Sequence, residues 1–197
     1  MARPKQRTPE LRARVLSTAV EVLSRDGMSG FTTRRVAEGA GTSLPAVYEL
    51  FTDKAGLVRA VYLEGFRRLG RELAAVPETG APLADLEQLI AVFRRFCLDY
   101  PALARVMFSR PFEDFDPRPG DLHPDAPTVR EVLLARVRRC VDEGALTGDP
   151  VDIAHVLLAL AQGLAVQEGG RWLGGSAASV DRRWAAGVRA LLRGFAG

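Results

Sequence analysis

Apolar residues recur three and four positions apart along nearly the whole chain, and nowhere do they alternate strictly between turn residues. This pattern predicts an all-α protein. The first stripe is Leu11, Val15, Ala19, Val22 and Leu23. Thr8, Pro9 and Glu10 ahead of it make a strong helix start: the hydroxyl caps free amides, proline suits the first turn, and the carboxylate favours the positive end of the dipole. Gly27, after Asp26, is the expected stop. A second, short helix opens at Thr32, turns Val36 and Ala37 inward and ends at Gly39 or Gly41. Ser43 caps a third, with Pro45 in its first turn and Val47, Leu50 and Phe51 inward. Thr52 or Asp53 opens a fourth, which runs through Leu57, Val61 and Leu69 towards Pro77.

The Pro/Gly break "VPETGAP" at 76–82 predicts the start of a second helical region. Helices are expected there at about 83–99, 101–109, 127–144, 149–170 and 176–195. The proline-rich stretch 109–127 cannot be helical throughout, and reads either as a lid or as a surface crossover. The helix at 149–170 is apolar on two sides, with Ile153, Val156, Leu157, Leu160 and Leu164 on one stripe and Ala154, Leu158, Ala161 and Ala165 on another. The last helix places Trp184, Val188, Leu191 and Phe195 on one side and Ala186, Ala190 and Gly194 at four-residue intervals. Burial within one copy would use one stripe of each; a two-fold, four-helix interface would use both. The stripes Ala154, Leu158, Ala161, Ala165 and Ala186, Ala190, Gly194 are therefore the expected dimer contacts.

Charge is distributed unevenly. Residues 1–68 hold 12 Lys and Arg against 7 Asp and Glu, whereas residues 69–197 hold 15 against 17. The first fourteen residues alone carry five of the positive charges, as a basic arm before a helix does when it neutralises phosphates. No apolar run follows the arm, so a secretory signal is not expected and the cytoplasm is. The longest apolar run, from Val151 to Gln167, is interrupted by Asp152, His155 and Gln162 and reads as a buried helix rather than a membrane span. Cys97 and Cys140 lack C-x-x-C spacing and are expected to be reduced thiols. The only histidines, His123 and His155, lie in no ligand-spaced cluster, and there is no nucleophile elbow, phosphate loop or metal motif. Neither catalysis nor a cofactor is expected.

The two short helices joined by "GAGT" and braced on both sides have the plan of a helix-turn-helix. Leu44, Pro45, Ala46, Tyr48 and Glu49 then form the outward face of the second short helix, small and apolar enough to favour thymine methyls and shape fit. At "DG" 26–27, "TTRRVAEGAG" 32–41, "SLPAVYELF" 43–51 and "DKAGLV" 53–58 the chain resembles the N-terminal domain of the TetR family of transcriptional regulators. The resemblance implies a DNA-binding domain at 1–68, with its motif at about 31–51, and an effector-binding and dimerisation domain at 69–197. It implies a homodimeric repressor on a double-stranded operator, released by a small-molecule effector. Arg34 takes the guanine contact in that pattern, while Thr33, Thr42, Ser43, Tyr48 and Lys54 take phosphates. Glu49 departs from it, since a carboxylate there repels phosphates unless it accepts from a cytosine amino group. The effector cavity is expected among Phe93, Phe96, Cys97, Tyr100, Met107, Phe108, Phe112, His155, Gln162 and Trp172. The rival reading is a helical small-molecule-binding or interaction module without sequence-specific DNA binding.

Overall fold

The computed structural model describes residues 8–108 and 128–196. The arm at 1–7 and the stretch 109–127, with Phe112 in it, lie outside the described residues. Within them the chain forms nine helices and no strand: α1 Pro9–Gly30, α2 Thr33–Gly39, α3 Leu44–Phe51, α4 Lys54–Ala74, α5 Pro82–Asp99, α6 Pro101–Phe108, α7 Val129–Asp142, α8 Pro150–Gly169 and α9 Ala177–Gly194. The all-α expectation is borne out. Thr8, Thr32 and Ser43 cap α1, α2 and α3, each side-chain oxygen accepting from the amide three residues on. Gly27 is a kink rather than a stop: its φ of 65° breaks α1, and the helix resumes to Gly30 before Phe31 turns into the core.

The described residues divide into two compact units, 8–65 with 102–108, and 66–101 with 128–196. In the first, Val15, Ala19, Leu23, Phe31, Val36, Val47, Phe51 and Leu57 are buried, and α2 packs on both α1 and α3. In the second, α8 packs on α5, α7 and α9, and α5 also packs on α7.

The segment before α5 is held down by α7. Arg136, only 6% exposed, donates to the carbonyls of Val76 and Pro77. Arg139 donates to the Thr79 carbonyl and to Asp85 Oδ2 at 2.8 Å. Asp85 also accepts from the Thr79 amide and hydroxyl, both at 2.7 Å. These bonds, those from Thr79 first and that from Arg139 after, hold the Asp85 carboxyl below the usual carboxylate range. The sign follows: a depressed native value adds stability that is fully present above the unfolded value of about 3.9 and is lost as pH falls below it through the lower native value. Asp85→Asn should therefore lower stability at pH 7 and flatten its fall between pH 5 and pH 3, read by urea unfolding at each pH. An unchanged acid limb would remove Asp85 from the clamp.

A second network ties α9 to α5 and α8. Arg94 pairs with Glu168 through two bonds of 2.8 and 2.7 Å and reaches Asp181 at 2.8 Å. The same Glu168 accepts from the Trp184 indole at 2.7 Å, and Arg94 stacks on that ring 5.3 Å from its centre. At the far end of α9 the Phe195 carbonyl accepts from the Thr147 amide at 2.7 Å.

Helix α8 departs from expectation. By length and composition it is apolar enough to cross a membrane despite Asp152, His155 and Gln162. Only Ile153, Ala154, Leu157 and Ala161 of it are buried.

Candidate nucleic-acid interface

The turn between α2 and α3 is built from the backbone outward. Thr42 donates to the Ala37 carbonyl at 3.0 Å and Gly41 to that of Glu38 at 3.1 Å. Gly41 sits at φ 62°, where a side chain is strained, so the reversal depends on glycine there. Helix α1 braces the turn: Arg14 Nε donates to the Ala40 carbonyl at 3.0 Å, and the Arg12 guanidinium lies 4.9 Å from the centre of the Phe51 ring. Neither arginine is marked by the sequence pattern, because the contacts join residues 26 and 39 apart in the chain.

The exit from α3 is equally constrained. Asp53, the second of the two expected caps, accepts from the Gly56 amide at 2.7 Å. A Cβ on Gly56 would stand 2.0 Å from the Phe51 carbonyl oxygen, so backbone meets backbone where α4 starts. That contact sets Lys54, exposed in the first turn of α4, beside the C-terminus of α3. Gly56→Ala should destabilise this unit by about 1–3 kcal/mol through the forced displacement. A chemical-denaturation midpoint equal to that of the unsubstituted protein would contradict this.

Of the two arginines on α2, Arg35 is committed: its guanidinium holds Asp26 Oδ2 at 3.0 Å and the Gly30 carbonyl at 3.4 Å. The Asp26 carboxyl lies below its usual range, mainly because of the Arg25 hydrogen bond and further because of Arg35. Arg34 is exposed and makes no ion pair among the described residues. Ser43, Pro45, Tyr48 and Glu49 are exposed, with Tyr48 at 41%, while Thr42, Leu44 and Ala46 are half-buried. Thr33 differs from its expected role. At 5% exposure it turns inward with Val36 and Ala37 and offers a phosphate little surface.

The first turns of α2, α3 and α4 carry no acidic residue, as is also true of α6 and α9. The dipole ends of α2 and α3 thus carry no carboxylate, while at the start of α4 Asp53 accepts from the Gly56 amide beside the charge of Lys54. An anion bound at the α2 or α3 end would gain a few tenths of a kcal/mol or more from the dipole.

Two stretches of the chain match known families. Residues 15–61 match the bacterial regulatory proteins of the tetR family, and residues 86–191 match the tetracyclin repressor-like C-terminal domain. The chain belongs to the TetR family. Over 50 residues it is 46% identical to the tetracycline repressor protein class C of Escherichia coli, a stretch that spans 25% of this chain and 23% of that protein. A protein of unknown function from Rhodococcus sp. RHA1 superposes with a TM-score of 0.75 at 25% identity, covering 99% of this chain and 100% of that one. A TetR variant from Acinetobacter baumannii AYE, solved in complex with minocycline, shares the fold with a TM-score of 0.66 at 22% identity, over 91% and 93% of the two chains.

The expected effector residues of this TetR-family chain are placed less uniformly. Phe93, Phe96 and Met107 are buried, Cys97, Tyr100, Phe108 and Gln162 are half-buried, and His155 is exposed. The Phe96 and Tyr100 rings lie 5.1 Å apart. Burial, with Glu168 adding to it, pushes the Cys97 thiol up to about 12, so it stays protonated at neutral pH. His155 Nδ1 is 2.7 Å from the Val151 carbonyl. Trp172 corrects the expectation: it stands 77% exposed on the turn after α8, because α8 ends at Gly169 and the chain leaves the unit's core there. A groove of about 670 Å³ between α5 and α9, lined by Ile90, Arg94, Leu98, Asp181, Trp184 and Val188, contains none of the expected effector residues.

The expected dimer stripes also separate. Ala154 and Ala161 are buried within the unit and so cannot face a second copy; their small side chains let α7 approach α8. Leu158 lines the small α7–α8 cavity beside Ala154, and Ala165 is half-buried. Ala186, Ala190 and Gly194 are exposed as expected.

Proposed function

We propose that the chain works as a homodimeric repressor that grips operator DNA with α2, α3 and the start of α4 and is released by a small hydrophobic effector. The observation that carries this reading is the outward face of α3, bordered by Arg34 and Lys54 and by the α2 and α3 starts, which carry no acidic residue. Arg34 reads a guanine; Pro45, Ala46 and Tyr48 meet base methyls and backbone; Ser43, Thr42 and Lys54 hold phosphates. Glu49 accepts from a cytosine amino group or stands clear of the phosphates. The family binds DNA and regulates transcription, so a regulator is favoured over a catalyst, and the cytoplasm is where it acts.

The second copy is needed because one head contacts too few base pairs for operator-level selectivity, and two-fold operators place half-sites about 34 Å apart. Supporting a dimer through α8 and α9 are Val156 at 47% exposure and Val166 at 58%, with Ala190 and Gly194 exposed beside them on α9. The face on α8 is thus the one with Val156 and Val166, away from the buried Ile153, Ala154, Leu157 and Ala161. The effector is placed along α5, where Phe93, Phe96, Cys97 and Tyr100 fall on successive turns. It acts by binding the DNA-incompetent arrangement more tightly. The domain boundary is taken inside α4, close to residue 68.

Lys54→Ala should weaken binding to every DNA sequence alike and reduce the slope of log K against log salt by about 0.9 per head, measured by anisotropy from 50 to 300 mM salt. An unchanged slope takes Lys54 out of the phosphate clamp. Weak binding that never depends on sequence in the unsubstituted protein would instead favour the interaction-module reading.

A further inference from the structure

We propose that Trp172 is an anchor of the contact between two copies of this chain, its indole seated on the apolar α8 face of the second copy. The inference rests on the dimer reading above and goes beyond it to a residue outside both helices. Five large apolar side chains are exposed among the described residues: Tyr48, Leu98, Val156, Val166 and Trp172. Tyr48 lies on the DNA-facing helix and Leu98 in the α5–α9 groove. The other three all belong to α8 and its exit turn.

The turn that carries Trp172 is fixed, not loose. The Trp172 and Leu173 amides both donate to the Gln167 carbonyl, at 2.8 and 3.2 Å. Arg183 of α9 donates to the Leu173 carbonyl, and Glu168, one residue before α8 ends, is locked to Arg94 and Trp184. Arg171 adopts φ 60°, a left-handed conformation that a side chain takes only at a cost. The backbone is therefore strained and bonded into a form that projects an indole outward with 77% of its surface bare. With its backbone already held, the residue has only its side-chain rotamers left to order on binding, and its indole buries a large area, which is how interface anchors behave.

A second copy fits this knob because the contact can repeat itself. Helix α8 is about 30 Å long, with Val156 in its N-terminal half and Val166 and Trp172 at its C-terminal end. Between them Gly163 has open space where a side chain would stand. When two such helices cross antiparallel about a two-fold axis, the C-terminal end of each lies against the N-terminal half of the other, so each indole reaches the opposite apolar face and the two contacts are identical.

The test uses the full chain. The only other tryptophan, Trp184, is 4% exposed and reports on folding. Acrylamide quenching across a dilution series, with sedimentation on the same samples, should show Trp172 shielded in the dimer and quenched as dimers dissociate. Trp172→Ala should raise the dimer dissociation constant at least about tenfold with Trp184 emission unchanged, and Trp172→Phe should restore most of it. A dimer in which Trp172 stays freely quenched and Trp172→Ala dissociates like the unsubstituted protein overturns the proposal but leaves the dimer intact. A protein that sediments as a monomer at every concentration overturns both. Shielding that appears only when phosphatidylglycerol vesicles are added assigns the α8 face to a membrane and overturns the proposal as well.

Discussion

Ala190→Glu is expected to separate the two copies and to abolish operator selectivity while each copy stays folded. Ala190 is exposed on α9, one turn beyond Gly187, where added bulk would already stand 3.5 and 3.7 Å from Leu164 and Leu160 of α8. On the proposed interface a carboxylate at Ala190 would be taken out of water between the two copies, which costs several kcal/mol. Loss of the second head removes the margin of specific over non-specific binding, about 4–10 kcal/mol in DNA-binding proteins, and leaves weak, salt-sensitive attraction. Ala161→Glu serves as the contrast. Ala161 is 1% exposed, so that change should unfold the unit rather than divide the dimer. Sedimentation and circular dichroism of both variants decide it. A folded, dimeric Ala190→Glu that still selects its operator places the interface elsewhere.

Arg34→Ala is expected to weaken operator binding by about 1–3 kcal/mol and to relax preference at one base pair of each half-site. The argument is one of availability. Arg35, its neighbour, is spent on Asp26 and Gly30, whereas Arg34 carries no ion pair among the described residues and stands exposed at the start of α2. Its removal should leave stability near that of the unsubstituted protein, while Arg35→Ala should lower stability by disconnecting α2 from the end of α1. Competition binding against single-base variants of the operator reads the first effect. Equal loss on all variants would make Arg34 a phosphate contact.

How much of this was legible in the sequence depends on the range of the interaction. Caps act over three residues, so Thr8, Thr32 and Ser43 announced α1, α2 and α3 correctly, and glycine at 41 marked a turn that only a positive φ completes. Gly27 misled for the same reason: it has the positive φ of a helix end, yet the helix resumes after it and runs three residues further, to Gly30. Contacts between distant residues left no local trace. Arg94 and Glu168 are 74 positions apart, and Arg136 and Val76 are 60, and nothing in either neighbourhood names the partner. The two stripes of α8 could both be read as interface or as core, because alanine suits close helix packing of either kind; the structure buries members of both, Ala154 and Ala161 of one and Ile153 and Leu157 of the other, and leaves Val156 and Val166 exposed. Trp172 was misplaced because an aromatic residue near a helix end carries no sign of which way it points. Thr33 followed the family's pattern for a phosphate contact, but its place in the first turn of so short a helix carries it inward beside Val36.

The central claim is that two copies of this chain read a two-fold DNA site through α3. Selection of bound sequences from a random duplex library, followed by measurement of stoichiometry on the enriched site, tests it most directly. The account predicts an inverted repeat whose half-sites are centred about one helical turn or a small multiple of it apart, bound by an even number of copies, with affinity that survives physiological salt. Recovery of unenriched DNA, held only at low salt and without fixed stoichiometry, would contradict it.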